Sequence, residues 1–189
     1  MLHPEYPIAT RRLLLRPATV ADIDDIHAYK SQPEVCRYLP YEPMSREDVA
    51  ERISGVWSRT ELTEAGQALN LCVEETTSGR LLGDVVLFWR DAGNRTGEIG
   101  YVFSPRAAGH GYATEAAGAL LGLGFEGLSL HRITAKVDAR NDASTRVLER
   151  IGMRREAVHL QDWWSKNEWS DTVVYAMLEH EWRSQVFHS

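Results

Sequence analysis

The stretch SPRAAGHGYATEAAG, Ser104 to Gly118, constrains this chain most, because the side-chain period changes within it. GEIGYVFSP before it alternates like a strand and stops at Pro105, whereas GYATEAAGALLGLGFEGL after it carries apolar residues at helical spacing and ends in glycines. Between them lie mainly small residues, Ala107, Ala108, Gly109 and Gly111. A strand, a tight turn and a helix N-terminus in that order make an anion site: backbone N–H groups point outward and the helix dipole adds positive potential. Small residues let that backbone approach a diphosphate, and Thr114 offers a hydroxyl. Turn geometry alone would also explain the glycines. No GK[ST] follows, which excludes a Walker loop.

The remaining segments read as strands and helices in mixed order. RRLLLRP is a short strand stopped by proline; Thr19 then caps a helix with Ile23, Ile26 and Tyr29 on one face. Ser45, with Asp48 in the capping-box position, opens a second helix whose apolar face holds Val49, Ile53, Val56 and Trp57. ALNLCVEE and LLGDVVLFW form a hairpin around TTSGR, and HRITAKVDA alternates with Ile133, Ala135 and Val137 on one side. NDASTRVLERIGM is a helix between an Asn141 cap and a Gly152 stop, and the strand TVVYAMLE follows a tryptophan-rich loop, QDWWSKNEWSD. Hairpins mixed with βαβ units predict an α/β domain with a mixed sheet. One domain is expected over residues 1–189, with its core about 10–182. GLGFEG, Gly122 to Gly127, matches a dinucleotide fingerprint by letter, but it ends a helical pattern instead of following a strand, so it is assigned to helix termination and close packing.

Composition removes several function classes. The formal net charge is −6, and no basic run is interleaved with aromatics, so no nucleic-acid partner is expected. An acidic surface would steer cationic substrates inward, or would simply keep the protein in solution. No apolar run reaches the roughly 18 residues of a membrane span, and the N-terminal segment has no apolar stretch ahead of a cleavage site, so a cytoplasmic protein without a membrane partner is expected. Cys36 and Cys72 lack ligand or redox spacing. His3, His27, His110, His131, His159, His180 and His188 are scattered, so no metal is expected.

RAAGHGYATEA resembles the coenzyme A pyrophosphate loop of the GNAT superfamily of N-acetyltransferases, Gln/Arg-x-x-Gly-x-Gly/Ala, which Arg106, Gly109 and Gly111 satisfy. TRRLLLRPATVADIDDIHAYKSQPEVCRYL resembles the N-terminus of the RimJ/RimL-like branch. NDASTRVLERIGMRREA is similar to that branch's Asn-x-x-Ser helix, and EWSDTVVYAML to its last strand pair. The matches run in family order from about Thr10 to Leu178. The resemblance implies the GNAT fold: a mixed, mostly antiparallel sheet with splayed central strands flanked by helices. It also implies direct transfer of acetyl from acetyl-CoA to a primary amine in a ternary complex. A protein N-terminal α-amine is the favoured acceptor. The alternatives are a small-molecule amine (polyamine, amino acid or antibiotic), a non-catalytic acyl-CoA-binding module and, weakest, a nicotinamide-dependent oxidoreductase. A homodimer is left open.

Roles follow residue by residue from the same resemblance. A bulge in EIGYVFSP is expected to free a backbone N–H near Val102 or Phe103 for the thioester oxygen, while the side chains of Tyr101 and Phe103 pack as ordinary strand residues. Arg106, Ala108, Gly109, His110, Gly111, Tyr112, Ala113 and Thr114 form the cofactor loop. Asn141 caps its helix and bonds the pantetheine, Ser144 faces the sulfur as the acid, and Arg146 either approaches the phosphates or is solvated. Glu98 is the expected base and Asp162 the second candidate. Tyr38, Trp89 and Trp163 are expected to line the acceptor pocket, with Tyr41, Trp164 and Trp169 nearby.

Overall fold

The computed structural model describes residues 1–186, so His188 lies outside the described residues. Its strands are β1 (Ile8–Ala9), β2 (Leu13–Arg16), β3 (Ala68–Glu75), β4 (Leu81–Asp91), β5 (Thr96–Phe103), β6 (Arg132–Asp138), β7 (Arg154–Ser165) and β8 (Glu168–Leu178). The helices are α1 (Ile23–Lys30), α2 (Pro33–Cys36), α3 (Arg46–Ser54), α4 (Tyr112–Gly122), α5 (Asp142–Arg150) and α6 (Glu179–Val186). All eight strands join one sheet in the order β1-β2-β3-β4-β5-β6-β8-β7. Every neighbouring pair is antiparallel except β5 and β6, which α4 connects and which therefore run parallel. That pair is short. It matches Thr96–Glu98 with Arg132–Thr134, after which the two strands diverge, so the central strands are splayed as expected.

Helices cover both faces of the sheet. Leu120, Leu121, Phe125 and Leu148 of the α4 and α5 side pack on Leu71, Val85, Leu87 and Ile133, while Ile26, Tyr29, Val49 and Ile53 from α1 and α3 cover Cys72 and Leu81. Each fully buried leucine contributes about 1.5–3 kcal/mol of transfer free energy. The caps form as read: Ser45 accepts the Asp48 N–H while Asp48 bonds back to Ser45, and Asn141 accepts the Ser144 N–H at 3.1 Å. GLGFEG ends α4 as a wide turn at Leu123–Gly127, and a Cβ on Gly124 would sit 2.5 Å from Ile133 Cδ1. The glycines there serve close packing.

Two expectations change. The second helix stops at Ser54, and Gly55, with φ −110 and ψ −111, turns the chain away. Val56 is consequently exposed, and Trp57 reaches the core from a separate short turn. The tryptophan-rich segment is a hairpin and not a loop: Trp164 faces Trp169 and Ser165 faces Glu168 across Lys166 and Asn167, whose φ values of 51 and 60 suit the two left-handed positions of a two-residue turn. Its turn residues carry no glycine, which hid the signal. Among the described residues no helix is long and apolar enough to cross a membrane.

Candidate active site

Divergence of β5 from β6 opens a cleft of about 760 Å³, within the usual range for small-ligand sites. Asn70, Val86, Phe88 and Glu98 line it from one face of the sheet, and Tyr101, Ser144 and Leu148 from the other, so it passes through the sheet at the splay. Of the expected site residues it gathers Glu98, Val102, Asn141, Ser144, Tyr38 and Trp163.

The hydroxyl centre is built locally and closed by tertiary contact. The Asn141 cap starts α5, which turns the Ser144 hydroxyl toward β5. There it lies 2.9 Å from the Tyr101 hydroxyl, which is also in donating range of the Ser144 carbonyl at 3.0 Å. Burial pushes the Tyr101 phenol up to about 12, against a smaller opposing effect of Ser144. Strand alternation alone assigns Tyr101 to packing. Its partner lies 43 residues away, and only the register of β5 against α5 reveals the pair.

The carboxylates of the cleft are all engaged. Glu98 pairs with Arg90 at 3.2 Å, Asp84 with Lys30 at 2.7 Å, and Arg140 takes both Asp138, at 2.7 Å, and Glu168, at 2.8 Å. Burial opposes the Lys30 charge, but Asp84 and Tyr41 outweigh it and raise its pKa. Burial likewise raises the Asp138 carboxyl, yet the Arg140 hydrogen bonds leave it lower than usual. Lys30 was missed, although a lysine on the buried face of α1 beside Ile26 and Tyr29 was a visible anomaly. Asp162 is not brought to this centre. It sits in the irregular part of β7 beside His159, 3.7 Å away, and does not line the cleft.

Trp89 also departs from expectation. Side chains alternate along β4, so Val86 and Phe88 face the cleft while Leu87 and Trp89 face the α4 core, where the indole N–H is buried without a partner among the described residues. Trp164 and Trp169 stack edge-on at 5.3 Å near the hairpin tip, both more than half exposed, and only Trp163 of the three lines the cleft.

The expected bulge near Val102 is absent. Pairing of β4 with β5 is regular from Gly83–Phe103 to Trp89–Gly97, and the register shifts only beyond Trp89. The Ser104 N–H donates to Leu82 O at 2.8 Å, so alternation directs the Val102 N–H onto β4 as well, and those of Tyr101 and Phe103 toward the gap. Splaying frees these groups where a bulge was expected to.

Beyond β5 the glycine turn is held from behind. Arg12 donates to the His110 carbonyl at 2.9 Å, lies over the Tyr112 ring at 4.7 Å and pairs with Glu115 at 2.8 Å. Tyr112 in turn donates to Glu75 and stacks on His110, whose Nδ1 is 2.9 Å from the Ala108 carbonyl. Gly109 and Gly111 have φ of 81 and 76, which L side chains rarely adopt, and a Cβ on Gly109 would meet nothing within 4 Å. The Thr114 hydroxyl is buried without a partner among the described residues. An open, left-handed backbone at a helix N-terminus fits a diphosphate. Ala107, by contrast, packs into the core, and the side chains of Arg106 and Arg146 are exposed outside the cleft.

Residues 12–154 match the family model described as the acetyltransferase (GNAT) domain. YnaD of Bacillus subtilis, named an uncharacterized N-acetyltransferase, is 36% identical over 175 residues, which cover 93% of this chain and 98% of that protein. The crystal structure of a GNAT-family acetyltransferase from Bacillus anthracis matches with a TM-score of 0.82 at 35% identity, over 92% of this chain and 98% of that one. Spermidine N-acetyltransferase from Vibrio cholerae, solved with CoA and spermine, matches with a TM-score of 0.76 over 92% of this chain and 99% of that one. At 20% identity it shares the fold alone. GNAT acetyltransferases use acetyl-CoA, and with the glycine turn, the splayed strands and these matches together, the chain belongs to the GNAT family of acetyltransferases, enzymes that move an acetyl group to an amine.

Proposed function

We propose that this enzyme acetylates a protein N-terminal α-amine with acetyl-CoA, by direct transfer in a ternary complex. The observation that carries the reading is that, among the described residues, no carboxylate in the cleft is unpaired. An α-amine, with a pKa of roughly 7.7–8.0, is partly neutral near pH 7 and needs little help, whereas a lysine near 10.4 needs a strong, free base. Glu98, tethered to Arg90, takes the proton through an intervening water. Cys36 and Cys72 are buried, burial pushes both thiols up, and neither lines the cleft, which supports transfer without a covalent enzyme intermediate.

When bound, acetyl-CoA supplies an activated acetyl group as a thioester. The N–H groups of the turn around Gly109 and Gly111 hold its diphosphate, Asn141 orients the pantetheine, and the N–H groups of Tyr101 and Phe103 receive the carbonyl oxygen. Ser144 donates to the departing sulfur with Tyr101 behind it. Asn141 and Ser144 at their spacing support placing the chain in the RimJ/RimL-like branch, and the continuous sheet supports one acetyltransferase unit over 1–189. The test is thiol release checked by mass spectrometry, using a lysine-free peptide with a free N-terminus, an N-terminally blocked lysine peptide and spermidine. The free N-terminus should be acetylated, with a rate rising between about pH 7 and 8.5 as the amine deprotonates. Modification of the lysine peptide or spermidine alone would overturn the reading.

A further inference from the structure

With its carboxylates engaged, the cleft keeps a surplus of positive charge. Arg37, Arg52, Arg59 and Lys136 also line it, and none has a carboxylate within ion-pair distance among the described residues. The guanidinium of Arg37 lies 5.2 Å from the centre of the Tyr38 ring and that of Arg52 lies 5.5 Å from Trp57. These aromatic faces hold the two guanidinium groups at the cleft. The surplus is local, because the whole chain carries −6. It also lies apart from the turn assigned to the diphosphate, since none of residues 104–114 lines the cleft. The prospect that net acidity draws in cationic substrates is therefore reversed where the acceptor must sit.

We infer that the acceptor is a peptide N-terminus with a carboxylate close to the reacting amine, held by Arg37, Arg52 and Arg59. The inference rests on the α-amine reading above and names the class of N-terminus. A guanidinium presents paired donors that match a carboxylate, and an unpaired cation at the wall of a cleft loses less by meeting an anion than by facing an ammonium group. A polyamine would bring its charges beside these four cations with no free carboxylate to receive them.

The test measures thiol release from acetyl-CoA for peptides that share an N-terminal serine and differ after it in carrying aspartate and glutamate, alanine, or lysine. Free glutamate and spermidine run beside them. The acidic peptide should show kcat/KM about tenfold above the alanine peptide and higher still above the lysine peptide, with the ratio falling toward one between roughly 20 and 500 mM salt. Arg52→Gln and Arg59→Gln together should lower the acidic-to-alanine ratio, and an unchanged thermal midpoint would show that the variant folds. Free glutamate outpacing the acidic peptide would support the anion site but overturn the peptide as its source. Equal rates for acidic and lysine peptides, or spermidine as the best acceptor, would overturn the inference while leaving α-amine transfer testable by the blocked peptide. No release from any acceptor would overturn the acceptor reading and this inference with it.

Discussion

Ser144 and Tyr101 share a single hydrogen-bonding choice. If the phenol donates to the Ser144 carbonyl, the serine hydrogen points back at the phenolic oxygen; if it donates to Ser144 Oγ, the serine hydrogen is free for another acceptor, which in the proposed mechanism is the sulfur. Under the proposed role of Ser144, Tyr101 would act through it as a positioning residue. Tyr101→Phe should lower kcat about tenfold and leave the KM for acetyl-CoA nearly unchanged, and Ser144→Ala should fall at or below roughly a hundredfold. Because the two act as one unit, the double variant should lose less than the product of the single losses. The phenol, near 12, stays protonated throughout the usual range, so the Tyr101→Phe loss should be the same from pH 6 to pH 10 in initial-rate profiles. A loss that varied with pH, or a KM effect without a kcat effect, would reduce Tyr101 to packing. Asn141 and Ser144 were legible because a cap and its third residue are neighbours in sequence. The place of Trp89 is not legible, because its exposure depends on which face of β4 carries odd-numbered residues, and nothing local decides that.

At the scale of elements, α4 is capped by a glycine that conformation requires and contains one that it does not. Gly111 opens the helix at φ 76, whereas Gly118 sits within it with nothing near its missing Cβ. Gly118→Ala should therefore raise stability by about 0.5–1 kcal/mol, read as a higher denaturant midpoint. Gly111→Val should lower it by about 1–3 kcal/mol through backbone strain. The variants should also separate with cofactor: acetyl-CoA should raise the melting temperature of wild type and Gly118→Ala, and raise that of Gly111→Val less. Equal shifts in all three proteins would remove the turn from the binding site. The strand, turn and helix around it were legible because each leaves a period or a cap in the sequence. The β7–β8 hairpin was not, since Lys166 and Asn167 adopt left-handed conformations only within an already paired ladder.

Across the molecule, Asp22 ties the α1 side to the sheet. It accepts two bonds from Arg16 of β2, at 2.8 and 2.9 Å, and others from the Thr19 N–H and hydroxyl, while Arg16 also reaches Glu74 of β3 at 3.1 Å. Burial alone would raise the Asp22 carboxyl, but these bonds outweigh it and leave the pKa below the usual 3.8. A depressed carboxyl contributes stability that is present above its unfolded value, roughly 3.9, and is lost as pH falls through the folded value. Asp22→Asn should cost about 2 kcal/mol at pH 7, and the gap to wild type should narrow below pH 4. Urea midpoints at pH 7 and pH 3 test this; a gap unchanged at pH 3 would show that the charge is not its source.

What the sequence determined by itself was everything written in short-range relations: the caps at Ser45 and Asn141, the alternating strands, the close-packed glycines after α4 and the glycine turn before it. Each depends on residues within about one or two turns of one another, so the residues alone carry the physical constraint. Tertiary structure decided the rest. The Tyr101–Ser144 pair and the Lys30–Asp84 pair across 54 residues follow from how α5 and α1 pack on the sheet, and the exclusion of Asp162 and Trp89 from the cleft follows from the course and facing of their strands. The charge of the cleft is likewise a tertiary outcome. Composition counts every ionised group alike, whereas the cleft presents only the few that lie at the splay of β5 and β6, where pairing has already consumed the negative ones.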